Sequence, residues 1–276
     1  MIWLGAHPIA AALIITFFSA LGCLALILSR KPSNTRNWRD HLAALPHIEM
    51  TAERFSVKPE RNWSFSPEGP AMRAAREFDG AFAELKRIWL VVEPNGTSNW
   101  AAHTLLMFEF PDDRLLAITI EARLVKGERW TAFRGLWNQF ELFYLWASAR
   151  DVLTGRAVFL KHRVYIYPLI LTDEQRQNLL RNMLKTTQEL ETRPRFYNTL
   201  FSNCTNERAK RAGLGWHYSF VLTGLAPNQL FHIGVIPGTD FETVKMKADF
   251  TDRIKALNAL ATDDFDKAIL AELRKA

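Results

Sequence analysis

The chain has 276 residues, 48% of them hydrophobic and 23% charged, which is enough apolar material for a sizeable core and too ordinary a balance for a disordered chain. Thirteen glycines and twelve prolines without a repeat exclude a collagen-like sequence, and two cysteines exclude a disulfide framework. A formal charge of +6 and a pI of about 9.4 favour an anionic surface nearby, either phospholipid or nucleic acid.

From Ile9 to Leu28 the chain reads IAAALIITFFSALGCLALIL, twenty residues without a charge. A helix rising about 1.5 Å per residue would carry that run across the roughly 30 Å hydrocarbon core of a bilayer. The run is longer than the apolar part of a signal peptide, no basic residue precedes it, and no small-x-small site follows. It therefore predicts an uncleaved transmembrane anchor over residues 1–29, with Cys23 as a membrane-facing or packing residue. Arg30, Lys31, Arg36 and Arg39 follow before any acid, a flank that by charge alone would hold the rest of the chain in the cytoplasm.

Residues 30–70 are rich in Pro, Asn, Ser and Trp and predict a wrapping segment with short strands at RFSV and NWSF. Residues 71–87 read as a short helix or a turn-rich approach to a strand. KRIWLVVEP, AHTLLMFEF and LLAITIEARLV then predict three strands, separated by turns at Pro94-Asn95-Gly96 and Pro111-Asp112-Asp113. Apolar positions at helical spacing predict a helix over 133–150, and FLKHRVYIYPLI a further β-rich run. Thr172 with Gln175 three residues on is a capping-box pattern, opening a helix that stops at Pro194. FYNTLFSNC leads into a short helix, TNERAKRAG, closed by Gly213. The expected organisation is an anchor (1–29), one α+β domain with an antiparallel sheet (30–240) and a helical tail (241–276).

The chemistry centres on Cys204. It follows Ser202 and Asn203, both good helix caps, so its thiol would feel the positive end of the helix dipole and tend to ionise; the alternative is a small buried packing cysteine. A thiol needs a base, and His103 opens the strand AHTLLMFEF. With the hairpin turn centred near Asp112, facing positions sum to about 224, which sets Glu121 opposite His103 on the same face of the sheet. A carboxylate there can hold the imidazole in one tautomer, although a plain cross-strand surface pair reads the same way. Cysteine, histidine and an orienting acid are the parts of a thiol acyl-transfer site.

Other chemistries lack their signatures. There is no G-x-G-x-x-G, P-loop or G-x-S-x-G, and no metal-ligand spacing among the histidines and cysteines, so no cofactor and no metal is expected. No nucleic-acid-binding motif occurs, and the basic residues among aromatics read as a membrane-proximal face.

Several ordered segments resemble the Lnb N-terminal periplasmic domain family: KPSNTRNW, AAHTLLMFEF, ITIEARLVKGERW, RGLWNQFELFYLWASARDVLTGRAVFLKHRVYIYPL, PRFYNTLFSNCTN and HIGVIPG, together covering about Lys31 to Gly238. The resemblance implies a circularly permuted papain-like (NlpC/P60-like) fold. It also implies a lipoprotein intramolecular transacylase-like activity, with Cys204 and His103 as the catalytic pair. It places an acidic-basic strand motif on Glu121 and Arg123, and leaves Asn203 and Arg123 as substrate-side residues. The implied partners are membrane lipid or lipoprotein, and the implied location is a single-pass bacterial inner-membrane protein with a periplasmic domain, against the charge flank noted above. Two other readings stay open: a papain-like peptidase or amidase acting on cell-wall peptide, and a non-catalytic membrane scaffold. Oligomeric state is not legible.

Overall fold

A 21-residue helix, α1 (Pro8–Leu28), opens the structure, a computed structural model that describes residues 8–96, 100–200, 203, 207, 219 and 221–275. Leu13, Phe17 and Phe18 on this helix are exposed, and so is the free thiol of Cys23. Among the described residues no helix is long and apolar enough to cross a membrane. In α1 the side chains at 8, 26 and 28 lie outside the described set.

After α1 come β1 (His47–Met50) and β2 (Arg54–Arg61), the small hairpin β3 (Ser64–Ser66) with β4 (Gly69–Met72), and β5 (Ala75–Ala81). Residues 71–87 are thus mostly strand, with only a single 3-10 turn, Phe82–Glu84. The next strands are β6 (Arg87–Pro94), β7 (Ala102–Glu109), β8 (Leu115–Arg123) and β9 (Glu141–Ser148). Then follow α2 (Ala149–Thr154), a π-helical turn (Gly155–Phe159) and β10 (Tyr165–Leu169). The remaining described helices are α3 (Asp173–Thr192), α4 (Ala226–His232), α5 (Phe241–Lys247), α6 (Thr251–Ala256) and α7 (Thr262–Leu273).

The main sheet runs β1-β2-β9-β8-β7-β6-β10, with β5 also paired to β2. Its ladders are antiparallel except for one parallel contact between β2 and β9 at Arg61 and Ala147. The chain is therefore α+β with a mostly antiparallel sheet, as its sequence suggests.

Both faces of the sheet are covered, and side chains sort by parity along each strand. On one face Leu90, Leu106, Ile118, Tyr144 and Trp146 pack with Leu180, Met183 and Leu184 of α3. On the other, Trp89, Met107, Leu115 and Ala117 pack with Phe250, Ile254, Phe265, Ile269 and Leu270 from the C-terminal helices. The helical tail thus supplies much of the second core.

That double burial corrects the helix expected over 133–150. Residues 134–136 make a single 3-10 turn, and Glu141–Ser148 is a strand buried at every position. A strand covered on both faces needs no polar alternation, so its uninterrupted apolar run imitates a buried helix. The capping box does form. Thr172 Oγ1 accepts from Gln175 N at 3.2 Å, Gln175 Oε1 accepts from Thr172 N at 2.9 Å, and α3 ends at Thr192, two residues before Pro194. The short helix expected over 205–213 lies outside the described residues except for Glu207.

Candidate functional site

The hairpin β7–β8 sets the site. Its register runs from Leu105↔Thr119 to Glu109↔Leu115, and every pair sums to the value expected for a turn centred on Asp112. Asp112 and Asp113 take positive φ there, 59° and 56°, a conformation that aspartate tolerates better than most residues. Continuing that register brings His103 and Glu121 together: His103 Nε2 lies 3.2 Å from Glu121 Oε1.

Thr119 joins the pair. Its hydroxyl donates to Glu121 Oε1 at 2.7 Å and stands 2.6 Å from His103 Nε2. The hydroxyl proton is committed to the carboxylate, so the threonine oxygen accepts from Nε2–H, and Nδ1 of the neutral ring is left as the basic nitrogen. Burial alone would push the Glu121 carboxyl up. The His103 charge and hydrogen bond, then Arg156 and the Thr119 hydroxyl, outweigh it and hold the group far below the usual carboxylate range.

A second acid faces His103 from the other neighbouring strand, where Glu93 of β6 pairs with it in register. Glu93 Oε1 meets His162 Nδ1 at 2.5 Å, and Glu93 Oε2 lies 2.7 Å from Arg156 Nε. Arg156 also reaches Glu121, with Nη2 3.6 Å from Oε1. Burial would raise Glu93 too, but Arg156, His103 and His162 bring it below the ordinary value. One arginine therefore neutralises two partly or wholly buried carboxylates. It sits on the π-helical turn, a local departure from α geometry that often marks functional positions.

These groups line a cavity of about 500 Å³ whose wall includes Glu93, His103, Glu121, His162 and Asn203, with Trp100, Ile120, Leu124, Trp130, Tyr197 and Leu222 supplying apolar surface. Asn203 is buried. Its amide donates to Thr199 O at 2.8 Å, and its carbonyl accepts from Glu207 N at 3.1 Å, the i, i+4 spacing of a helical turn. The carboxylate of Glu207 is buried against Tyr144 Oη, 3.0 Å away. Cys204 lies outside the described residues.

Arg123 is directed elsewhere. Nε and Nη2 donate to Leu42 O and Ala43 O, each at 2.9 Å, and Nη1 donates to Asn34 Oδ1 at 3.1 Å. Its guanidinium lies over Trp38 and Phe143, at 4.3 and 4.6 Å. Burial draws its pKa down to about 10, with Glu141 opposing, so it stays charged near neutrality. Its place is to fasten the segment after α1 onto the sheet, away from the cavity. Asp151 is likewise structural, fully buried and bonded to Arg61 Nη2 at 2.5 Å and Nε at 2.9 Å.

Sequence reasoning placed His103, Glu121 and Asn203 beside one another, and it missed Thr119, Glu93, Arg156 and His162. Strand parity could have found two of these. Thr119 is two residues from Glu121 on the same face, and Glu93 is the lone acid of its strand. His162 and Arg156 reach the site through a turn that carries no sequence signal. Among the described residues no group of three His, Cys, Asp or Glu side chains is arranged to hold a metal ion.

Comparison with curated proteins and with solved structures finds no match. A family model does match, over the stretch that holds β6 to β10 and α3, both histidines, both site acids and the cysteine. Residues 79–212 match the model of the Lnb N-terminal periplasmic domain family, in line with the resemblance read from the sequence.

Proposed function

We propose that this protein is a membrane-anchored thiol acyltransferase or hydrolase acting at the periplasmic face, with Cys204 as nucleophile and His103 as its base. One observation carries the reading: His103, oriented by Thr119 and Glu121, shares a cavity with Asn203, and Cys204 is the next residue in the chain. The papain-like character of the fold and the membrane span over Ile9–Leu28 belong to the same proposal. The uncharged run from position 1 to 29 supports the span, and the family's description as a periplasmic domain supports the side on which the domain lies.

In the proposed reaction the Nδ1 atom of His103 takes the thiol proton of Cys204, and the thiolate attacks an ester carbonyl of an acyl lipid or lipoprotein. The tetrahedral intermediate collapses to a thioester, and the departing alkoxide takes the proton from the imidazolium. An amine or hydroxyl acceptor then attacks the thioester as the imidazole removes its proton, releasing the acylated acceptor and the thiol. Ionised Glu121 stabilises the transient imidazolium. The apolar wall of Trp100, Ile120, Leu124 and Leu222 suits an acyl chain better than a cell-wall peptide.

The test is intact-mass analysis of the full-length protein incubated with phospholipid vesicles and a diacylated lipopeptide. A fatty-acyl mass on wild type that is absent from Cys204→Ala supports the reading, and a peptidyl mass transfers the site to the peptidase reading. Absence of any adduct, together with a thiol whose iodoacetamide rate titrates near the free-cysteine value of about 8.5, leaves the non-catalytic scaffold.

A further inference from the structure

The loop between β8 and β9 carries large apolar side chains outward. Phe133 is 69% exposed, Trp130 42% and Trp137 40%, and the Phe133 and Trp137 rings meet edge-on at 6.0 Å. Nothing about the loop is slack. Arg134 donates to Arg129 O at 2.7 Å and Glu128 Oε1 at 3.0 Å, and Thr199 Oγ1 donates to Ala132 O at 2.8 Å. Gly135 fits against Thr199 so closely that a Cβ would come within 2.3 Å of its oxygen. The backbone holds these rings in water at a cost in apolar exposure, an arrangement expected of a surface that meets another phase.

Three observations say which phase. The end of the uncharged helix α1 reaches the same loop, because Arg30 Nη1 donates to Gln139 Oε1 at 2.8 Å. The chain leaving α1 then runs alongside it, with Arg39 N bonded to Leu124 O and Lys126 N to Asn37 O. Residues 30–39 and 126–139 together carry seven basic side chains against Glu128, with Asp40 next to them pairing Lys126 and Arg73. Aromatic rings ringed by cations at the end of an apolar helix match the headgroup layer of an anionic bilayer. Trp130 and Ala132 of this loop also line the catalytic cavity.

We infer that the 126–139 loop is a membrane-surface contact, seating the mouth of the cavity at the phospholipid headgroups so that an acyl chain enters without crossing water. The surface contact rests on the proposed anchor, and only the entry of an acyl chain rests on the proposed chemistry. It is tested with full-length protein in phosphatidylglycerol-containing vesicles, carrying a benzophenone-bearing phenylalanine in place of Phe133. The control carries the same group in place of Lys86, at the opposite end of the sheet beside Glu109. Photolysis should give a phospholipid-mass adduct at 133 and at least fivefold less at 86. Equal labelling at the two positions, or a dimer-mass adduct at 133, overturns the inference. Absence of a lipid adduct at 133 in protein that stays with the vesicles through carbonate extraction overturns the loop contact alone. Release of the protein by carbonate overturns the anchor, and the loop contact with it.

Discussion

Thr119 stands between His103 and Glu121, accepting from the imidazole Nε2 at 2.6 Å and donating to the carboxylate at 2.7 Å. Because it is fully buried, neither bond competes with water. Thr119→Val keeps the shape and removes the relay. It should cost about 1–2 kcal/mol of stability, the usual penalty for stripping a buried acceptor of its donor. It should also lower the rate of Cys204 alkylation at pH 7 roughly tenfold through a less well-held base. Thr119→Ser should restore the rate, and imidazole nitrogen chemical shifts would show whether the Nε2–H tautomer is lost with the hydroxyl.

Glu121 and Glu93 are both held below the ordinary glutamate value. A group depressed on folding contributes stability that is complete above its unfolded pKa, near 4.5, and that disappears as pH falls through the lower folded value. Glu121→Gln should therefore be less stable than wild type at pH 7, and the difference should shrink steadily below about pH 4.5. Urea titrations at several pH values would measure it; a gap that widens in acid would contradict the assignment.

Asp266 behaves oppositely. It is buried, and its Oδ2 accepts from Leu115 N at 3.0 Å, while Oδ1 has no hydrogen-bond partner. Burial pushes its pKa well up despite that bond. Here the stabilising form is the protonated one, so its contribution is present below the unfolded value and is lost as pH rises. Asp266→Asn should be neutral or stabilising at pH 8 and progressively less so towards pH 4, read by thermal melting.

Arg156 is the shared counter-ion of two acids. Arg156→Gln should destabilise by about 3 kcal/mol, because it strands buried charge. Adding Glu93→Gln to it should recover part of that loss. A double-mutant cycle by chemical denaturation measures the coupling, and additivity of the two changes would show that the pair does not interact.

The C-terminal helices are part of the sheet's packing. Leu270 is fully buried in the cluster that holds Met107 and Ala117. Leu270→Ala should cost about 2–5 kcal/mol, visible as a lower urea midpoint with an unchanged slope.

The strands from Lys86 to Val125 were legible because turn residues punctuate them, and the β7–β8 register followed from the turn alone. That register was enough to bring His103 to Glu121. The capped helix at Thr172 was legible for a similar local reason. The strand Glu141–Ser148 was not, since its apolar periodicity carries no information once both faces are buried. Arg123 misled because a basic residue near a candidate acid looks the same in sequence whether it faces a ligand or backbone carbonyls. Its real partners, Leu42 O and Ala43 O, are about eighty positions away. Glu93, Arg156 and His162 meet only through the order of strands and a π turn, which are decided by the whole fold.

The segment leaving α1 is stitched down almost at once. Asn34 binds Leu190 O and Glu191 O, Arg36 pairs with Glu141, and the indole of Trp38 donates to Asn34 O. A tether so short gives the cavity beside His103 a fixed altitude above the point where α1 ends. On the proposed function only groups presented at that height come within its grasp, so splicing a flexible spacer between Ser29 and Asn34 should change which substrates are reached before it changes how fast any one of them reacts.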